Sequence, residues 1–348
     1  MLDETKYALL LLSDMHLRLR TPEARRDNVQ EALEKKLYYI YKWCRDYSER
    51  TGHIVIKLCA GDFTDMARDW HVLPWVMEWL TENREDEDEM LFVVRGQHDS
   101  YMYNNESKKA TIIGVLESAG LISFLGSDPL RLGGACPVNI YGCDYGEDAP
   151  KPERGKVNIL VIHKMVLSKK VWAYQQEYEY ADRFLARNPA YKLILCGDYH
   201  YKFYYRLVNR YIVNTGCLFR KTANKQDIAH IPGFFVYVPH LDSLRWHRIP
   251  CEPASKVLTR EHLDAAESEK KLERVVDKFA SALVKSTKTG LGEHKKLKPA
   301  LIDFIRINKV GNTEKRFLLQ ALEVGKDATG KAGRKGKGGT SLLSRRKR

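Results

Sequence analysis

Short apolar runs recur along this chain, and five of them stop at residues able to do chemistry. Residues 7–12 (YALLLL) lead into Ser13-Asp14-Met15-His16, and residues 54–59 (IVIKLC) into Ala60-Gly61-Asp62. Residues 91–94 lead into Gly96-Gln97-His98-Asp99, residues 157–162 into His163-Lys164, and residues 191–196 into Gly197-Asp198-Tyr199-His200. Runs this short, bounded by glycine and polar clusters, predict buried strands. Residues 121–125 and 138–141 read as further strands. Between the runs the apolar period changes to 3–4. Val29, Leu33, Leu37, Ile40 and Tyr41 predict a helix over 23–50, and Trp70, Leu73, Val76, Met77 and Leu80 one over 70–83. Helices are also expected at 107–118 and 168–187.

After residue 200 the pattern becomes one of hairpins. Strands at 203–208, 211–213, 233–238 and 244–249 are separated by turn signals such as Asn209-Arg210 and Asn214-Thr215-Gly216. Strand–helix alternation followed by hairpins predicts an α/β layered domain over residues 1–250, with mixed β-sheets flanked by helices. Pro250-Cys-Glu-Pro253 reads as a linker. Beyond it, Leu272, Val275, Val276, Phe279 and Leu283 share one face of a helix over 260–285. Leu301, Ile302, Phe304 and Ile305 mark a second helix, and Phe317, Leu318 and Leu322 a third over 313–324. So small a bundle has little core of its own, so residues 256–324 are expected to dock on a partner. Residues 325–348 are rich in Gly, Lys and Arg and are expected to be a disordered basic tail.

Composition narrows the class. Hydrophobic residues make up 44% and charged residues 30%, as in a soluble globular protein. No apolar run is long enough to cross a membrane, and the first residues lack the basic and apolar regions of a signal peptide. The seven cysteines are scattered without a Cys-x-x-Cys pair, which argues against a zinc ribbon or redox motif and for reduced thiols in a cytoplasmic protein. Of the net charge of +13, eight positive charges lie in residues 331–348, which carry no acid; 13 less 8 leaves +5 for the rest. The expected DNA contacts are therefore tail residues such as Arg345, Arg346, Lys347 and Arg348. Arg18, Arg20 and Lys164, beside the strand-end motifs, are further candidates for phosphate contact.

A single Asp or His after a strand is usually a cap, but five strand ends carrying Asp, His or Gln point to a common edge. Carboxylate, imidazole and amide oxygen together form a mixed O/N donor set suited to Mn²⁺, Fe²⁺ or Zn²⁺. Seven candidate ligands are too many for one ion and fit two ions bridged by a carboxylate.

The series Asp14-Met-His16, Gly61-Asp62, Gly96-Gln-His-Asp99, His163 and Gly197-Asp-Tyr-His200 resembles that of the calcineurin-like metallophosphoesterases over roughly residues 7–240. Within that superfamily the chain looks most like the SbcD-type DNA repair nucleases, including phage recombination-nuclease subunits. Its size, the Asn214-Thr-Gly-Cys217 turn followed by Arg220, and the helical extension carry that finer likeness. The resemblance implies the layered metallophosphoesterase fold and two divalent ions, Mn²⁺ or Mg²⁺. Asp14, His16 and His200 would hold one ion and Gln97, His163 and Asp198 the other, with Asp62 shared. His98 would protonate the leaving group, with Asp99 orienting its ring. Gln97 stands where the family has Asn, and Asp198 where it has His, an exchange that favours harder ions. The implied activity is metal-dependent DNA hydrolysis, exonucleolytic or endonucleolytic. The implied partners are DNA, an SMC-like ATPase of the SbcC type docked on residues 256–324, and a second copy of the chain, in the cytoplasm or a phage host's cytoplasm. A phosphatase acting on protein or small phosphoesters, and a degenerate non-catalytic scaffold, remain open alternatives.

Overall fold

The computed structural model describes residues 4–84, 90–103, 105–168, 178–261, 270–281, 297–312 and 314–320. The chain divides into two compact units, Met1–Arg260 and Glu261–Arg348.

The first unit is built from two six-stranded mixed sheets. In chain order the strands are β1 (Tyr7–Leu12), β2 (Ile54–Cys59), β3 (Leu91–Val93), β4 (Ile122–Phe124), β5 (Leu130–Leu132), β6 (Val138–Cys143), β7 (Val157–Ile162), β8 (Val166–Leu167), β9 (Glu179–Tyr180), β10 (Tyr191–Cys196), β11 (Phe203–Leu207), β12 (Arg210–Asn214), β13 (Gly233–Val238) and β14 (Ser243–Arg248). The helices are α1 (Val29–Thr51), α2 (Val72–Glu82), α3 (Ile112–Ser118), α4 (Ala181–Arg187), α5 (Lys225–Ala229) and α6 (Ala254–Val257). One sheet runs β14-β13-β1-β2-β3-β4 and the other β11-β12-β10-β7-β6-β5, while β8 and β9 form a short separate pair. Strands β1 to β4 are mutually parallel, as are β6, β7, β10 and β12.

The period-2 alternation of each strand builds the layers. Leu9 and Leu11 of β1 pack with Leu58 of β2, Ile159 and Val161 of β7, and Leu193 and Leu195 of β10, a core between the two sheets. Their neighbours Leu10 and Leu12 face the other way, onto Leu33, Leu37 and Ile40 of α1 and Val76 of α2. On the far side Ile162, Ile194 and Cys196 pack with Phe184 and Leu185 of α4. Central strands covered on both faces read as near-continuous apolar runs, as the sequence does. The observed architecture is the α/β layered one expected.

Boundaries moved where local chemistry outweighs periodicity. Helix α1 starts at Val29, not 23, because Asn28 accepts the amides of Gln30 and Glu31 and caps it. Residues 25 and 258 instead form an antiparallel bridge. The helix expected over 168–187 begins at Ala181, behind a strand; its first half falls at 169–177, outside the described residues. Val257 and Leu258, at the start of the expected 256–324 region, are buried with Ala24 and Ala223 and belong to the first unit.

In the second unit residues 270–281, Leu297–Ile307 and 314–320 are helical. Leu301, Ile305 and Leu318 form its core, with Val275 and Phe279 packed on it. Leu283, Leu322 and all of residues 325–348 lie outside the described residues.

Burying one Val or Leu side chain stabilises a fold by about 1.5–3 kcal/mol. A chain ending at Arg260 should therefore unfold in urea at a higher midpoint than one ending at residue 255, by roughly 3–6 kcal/mol of stability for the two side chains. Equal midpoints would show that Val257 and Leu258 do not hold the first unit together.

Candidate metal centre

The five strand-end motifs meet at one edge, where the carboxyl ends of β1, β2 and β3 face those of β7 and β10. Backbone bonds lock the loops together: Asp14 N donates to Gly61 O (3.1 Å), His16 N to Asp62 O (2.9 Å), and Gly197 N to Ile162 O (3.0 Å). Ser13 Oγ pairs with Thr215 Oγ1 at 2.8 Å and donates to Asn214 Oδ1 at 3.2 Å, which ties the β1 loop to the end of β12.

The ligand candidates sit on unusual backbone. Asp14 (φ 49°), His16 (φ 45°), Asp62 (φ 48°) and Asp198 (φ 74°) are all left-handed. Asp is among the non-glycine residues that best tolerate this region, and such strain persists only where the surroundings over-determine it. Space is cleared by glycine. A Cβ at Gly96 would overlap the carboxylate of Asp62, and one at Gly197 would press on His163 Nδ1 at 2.7 Å.

Asp62 is wholly buried and lies between two groups. Its Oδ2 is 3.5 Å from His16 Nε2 and its Oδ1 3.5 Å from His163 Nε2. On the first side Asp14, His16, Asp62 and His200 bring one donor atom each within 4.8 Å of one another. The Nε2 atoms of His16 and His200 are 3.0 Å apart. Burial holds His16 well below its usual pKa and His200 down at about 3, so both rings are neutral near pH 7. Burial pushes the Asp14 and Asp62 carboxyls up to about 7. Asp14 Oδ2 and Asp62 Oδ2 are buried and accept no hydrogen bond. Buried acceptors are rarely left in that state, and a cation would satisfy the two orphaned carboxylate oxygens, with Nε2 of the neutral His16 and His200 as further donors. The residues present therefore fit a divalent ion here.

The second side is differently arranged. His163 Nδ1 is 2.6 Å from Ala60 O, and its Nε2 is 2.7 Å from Gln97 Oε1. Gln97 Nε2 donates to Asp198 Oδ1 at 2.7 Å. Burial opposes charge on His163, but the carboxylates of Asp62, Asp14 and Asp198 outweigh it and raise its pKa to about 9. The three expected ligands are thus brought together, yet they satisfy one another. Fit to a cation rests at this position on the donor set alone.

His98 lies beside the first group. Its backbone N donates to Asp62 Oδ1 at 3.0 Å, and its ring stands edge-on to that of His16 at 4.8 Å. The expected support from Asp99 is corrected. Asp99 is fully buried and takes the amides of Phe63, Thr64 and Gly96, which fixes the β2 and β3 loops to each other. The His98 ring is held instead by the Asp65 carbonyl, 2.7 Å from Nδ1. The Asp65 side chain serves His16, 3.3 Å from its Nδ1, and is flanked by Arg18 at 2.9 Å and Lys221 at 3.3 Å. Burial works against the Asp65 charge, but His16, Lys221 and Arg18 hold its carboxyl well below the usual range. A carboxylate on the far nitrogen of a metal-binding histidine fixes its tautomer and aims the other nitrogen. Lys221 carried no local signal in the sequence, because it arrives from the segment after β12.

Arg18 is accordingly engaged with Asp65, and Lys164 lies 3.3 Å from Glu179. Arg20 is exposed. Arg345, Arg346, Lys347 and Arg348 lie outside the described residues.

No family model and no curated protein matches the chain. Several solved structures are similar at low identity. The sulfate thiohydrolase SoxB of Thermus thermophilus, in complex with glycerol, is 13% identical with a TM-score of 0.43, over 76% of this chain and 60% of that one. A 5'-nucleotidase from Candida albicans is 12% identical at a TM-score of 0.40, over 71% and 52%. An archaeal phosphodiesterase is 11% identical at 0.36, over 70% and 99%. The chain thus spans about 60% of the length of the first of these.

Metal binding must displace the protons that Asp14 and Asp62 hold below about pH 7 in the metal-free chain. His16 and His200 are already neutral and release none. Affinity for Mn²⁺ should therefore rise from about pH 5.5 to about pH 8, with proton uptake by buffer that fades toward the upper end. Occupancy of the second position adds the His163 proton, which persists to about pH 9. Calorimetry in buffers of different ionisation enthalpy measures both. A pH-independent affinity would mean that these carboxylates are not the ligands.

Proposed function

We propose that this chain is a metal-dependent phosphoester hydrolase whose substrate is the phosphodiester backbone of DNA. One observation carries the reading: Asp14, His16, Asp62 and His200 converge with two orphaned carboxylate oxygens, and His98 stands next to them. A divalent ion bound there would supply charge neutralisation on the phosphoryl oxygens and a more acidic bound water. The chain's own residues do the rest. Asp14, His16, His200 and Asp62 hold the first position, and Gln97, His163 and Asp198 close the second. Asp65 keeps the proton of His16 on Nδ1 and leaves Nε2 bare. The Asp65 carbonyl accepts from Nδ1 of His98 and turns Nε2 to the site, where the doubly protonated ring would hand a proton to the departing oxygen.

Surface features beside the site favour a nucleotide chain over a small phosphoester. Met66 and Trp70, after the Asp62 turn, are 61% and 47% exposed, and Tyr101 and Met102, after His98, are 39% and 78% exposed. The Arg68 guanidinium lies 3.4 Å from the centroid of the Tyr101 ring. Exposed aromatic rings paired with arginine offer stacking surfaces to bases. The basic segment 331–348 adds charge for the phosphate backbone. The second unit supports docking on an SMC-like ATPase, since Val276 and Phe317 stay 41% and 51% exposed once its core is formed. A non-catalytic scaffold is the reading that the self-satisfied second position favours, and turnover separates the two.

The isolated chain should cleave end-labelled DNA in Mn²⁺ and stop in chelator. Asp14→Asn and His200→Ala should abolish cleavage. His98→Ala should keep its metal and lose roughly 10²–10⁴ in rate. Trp70→Ala and Tyr101→Ala should weaken DNA cleavage while leaving hydrolysis of a small aryl phosphodiester intact. Hydrolysis of the small diester without any cleavage of DNA would reject DNA as substrate, and no turnover of either would leave the scaffold.

A further inference from the structure

Away from the metal centre, the first unit holds a cavity of about 160 Å³ between the start of α1, the segment after β12 and the chain around Pro250. Its lining includes Arg25, Lys36, Phe219, Arg220 and Cys251. The charges of this lining do not close. Arg25 is paired, with one guanidinium edge on Asp27 at 2.9 and 2.5 Å and its other nitrogen donating to the Arg220 carbonyl at 3.0 Å. Glu252 is engaged by Lys256 at 3.2 Å, and Glu31 accepts from the Asn28 amide at 3.0 Å. Two cations remain. Lys36 is 5% exposed, and its Nζ has one partner, the backbone carbonyl of Ala32 at 3.0 Å. Arg220 is 7% exposed and donates to the carbonyls of His230 and Glu252, with its remaining nitrogen 3.9 Å from Cys251 Sγ. Neither forms an ion pair with any described carboxylate.

A buried charge without a counter-charge is among the costliest arrangements in a protein interior. Here two of the same sign line one cavity. Burial pulls the Lys36 ammonium down to about 8, which fits a cation that lacks its anion. A space of this size exceeds the needs of a single water, and beside it lie the Lys36 ammonium, with one carbonyl partner, and a guanidinium whose only partners are two carbonyls and a thiol. Arginine and lysine together at a shared pocket match a tetrahedral oxyanion, with the ammonium and the remaining N–H groups of the guanidinium donating to its oxygens. We propose that this cavity is a binding site for a phosphate group, held between Lys36 and Arg220. It is separate from the metal centre and does not depend on the hydrolase reading. The group is either inorganic phosphate or the phosphate end of a nucleotide, the chemistry being the same for both.

The test uses the full chain. Thermal unfolding is followed against inorganic phosphate, with chloride at equal ionic strength as the reference, first in Mn²⁺ and then in chelator. Chelator removes any phosphate bound at the metal position. Phosphate should raise the melting temperature in both conditions, as for any ligand that binds only the folded chain. Lys36→Met should weaken the chelator-insensitive effect by about 10- to 100-fold, the scale of a lost charged hydrogen bond. The variant should be no less stable than the parent without phosphate, because it removes an unpaired buried charge. Lys36→Arg keeps the charge and should keep most of the effect. Adenosine 5'-monophosphate in place of phosphate assigns the source: tighter binding means a nucleotide phosphate, equal or weaker binding means free phosphate, and either upholds the site. Chloride matching phosphate, or Lys36→Met responding like the parent, would overturn it.

Discussion

The fold depends on keeping one carboxylate, that of Asp62, out of water at the seam between two sheets. No side chain is less suited to such a place, and the surrounding structure reads as a response to it. Histidines stand on both sides at 3.5 Å. A backbone amide reaches one oxygen from His98. Gly96 gives up a side chain so that the carboxylate has room. The second oxygen is left without a hydrogen bond. A globular core gains nothing from this arrangement by itself; a cation gives it a purpose.

The rest of the edge is arranged to make that cation's position rigid. Left-handed backbone at Asp14, His16, Asp62 and Asp198 turns four side chains inward within four residues of a strand end. The fully buried Asp99 staples the β2 and β3 loops through three backbone amides. Asp65 fixes His16 from behind, and its own charge is held by Arg18 and Lys221. Chemistry that relies on electrostatic preorganisation needs such a frame, because donors that must move to meet the transition state lose their advantage.

Much of this was legible in the sequence because it is local. Five apolar runs ending in Asp, His or Gln placed the site at the carboxyl edges of strands, and the structure brings those residues together. Short apolar runs placed the central strands and the 3–4 spacing placed α2 to within a few residues, while α1 and α3 begin six and five residues later than expected. What was not legible is set by tertiary contact. Asp99 follows His98 directly, so proximity suggested a pair, but the chain turns there and Asp99 faces the amides of another loop. Lys221 reaches Asp65 from a segment distant in sequence. Gln97, read as a longer substitute for an asparagine ligand, uses its extra length to bridge His163 and Asp198. Val257 and Leu258 fell at the start of the expected docking region, yet they are buried against Ala24 and Ala223, contacts that no local pattern shows.

The central claim is that a divalent ion sits on Asp62. Anomalous scattering from crystals soaked in Mn²⁺ tests it without reference to any substrate. The account predicts a strong peak in contact with carboxylate oxygens of Asp14 and Asp62 and with Nε2 of His16 and His200. A soaked crystal with no peak at those four side chains, or with peaks only elsewhere, would contradict it.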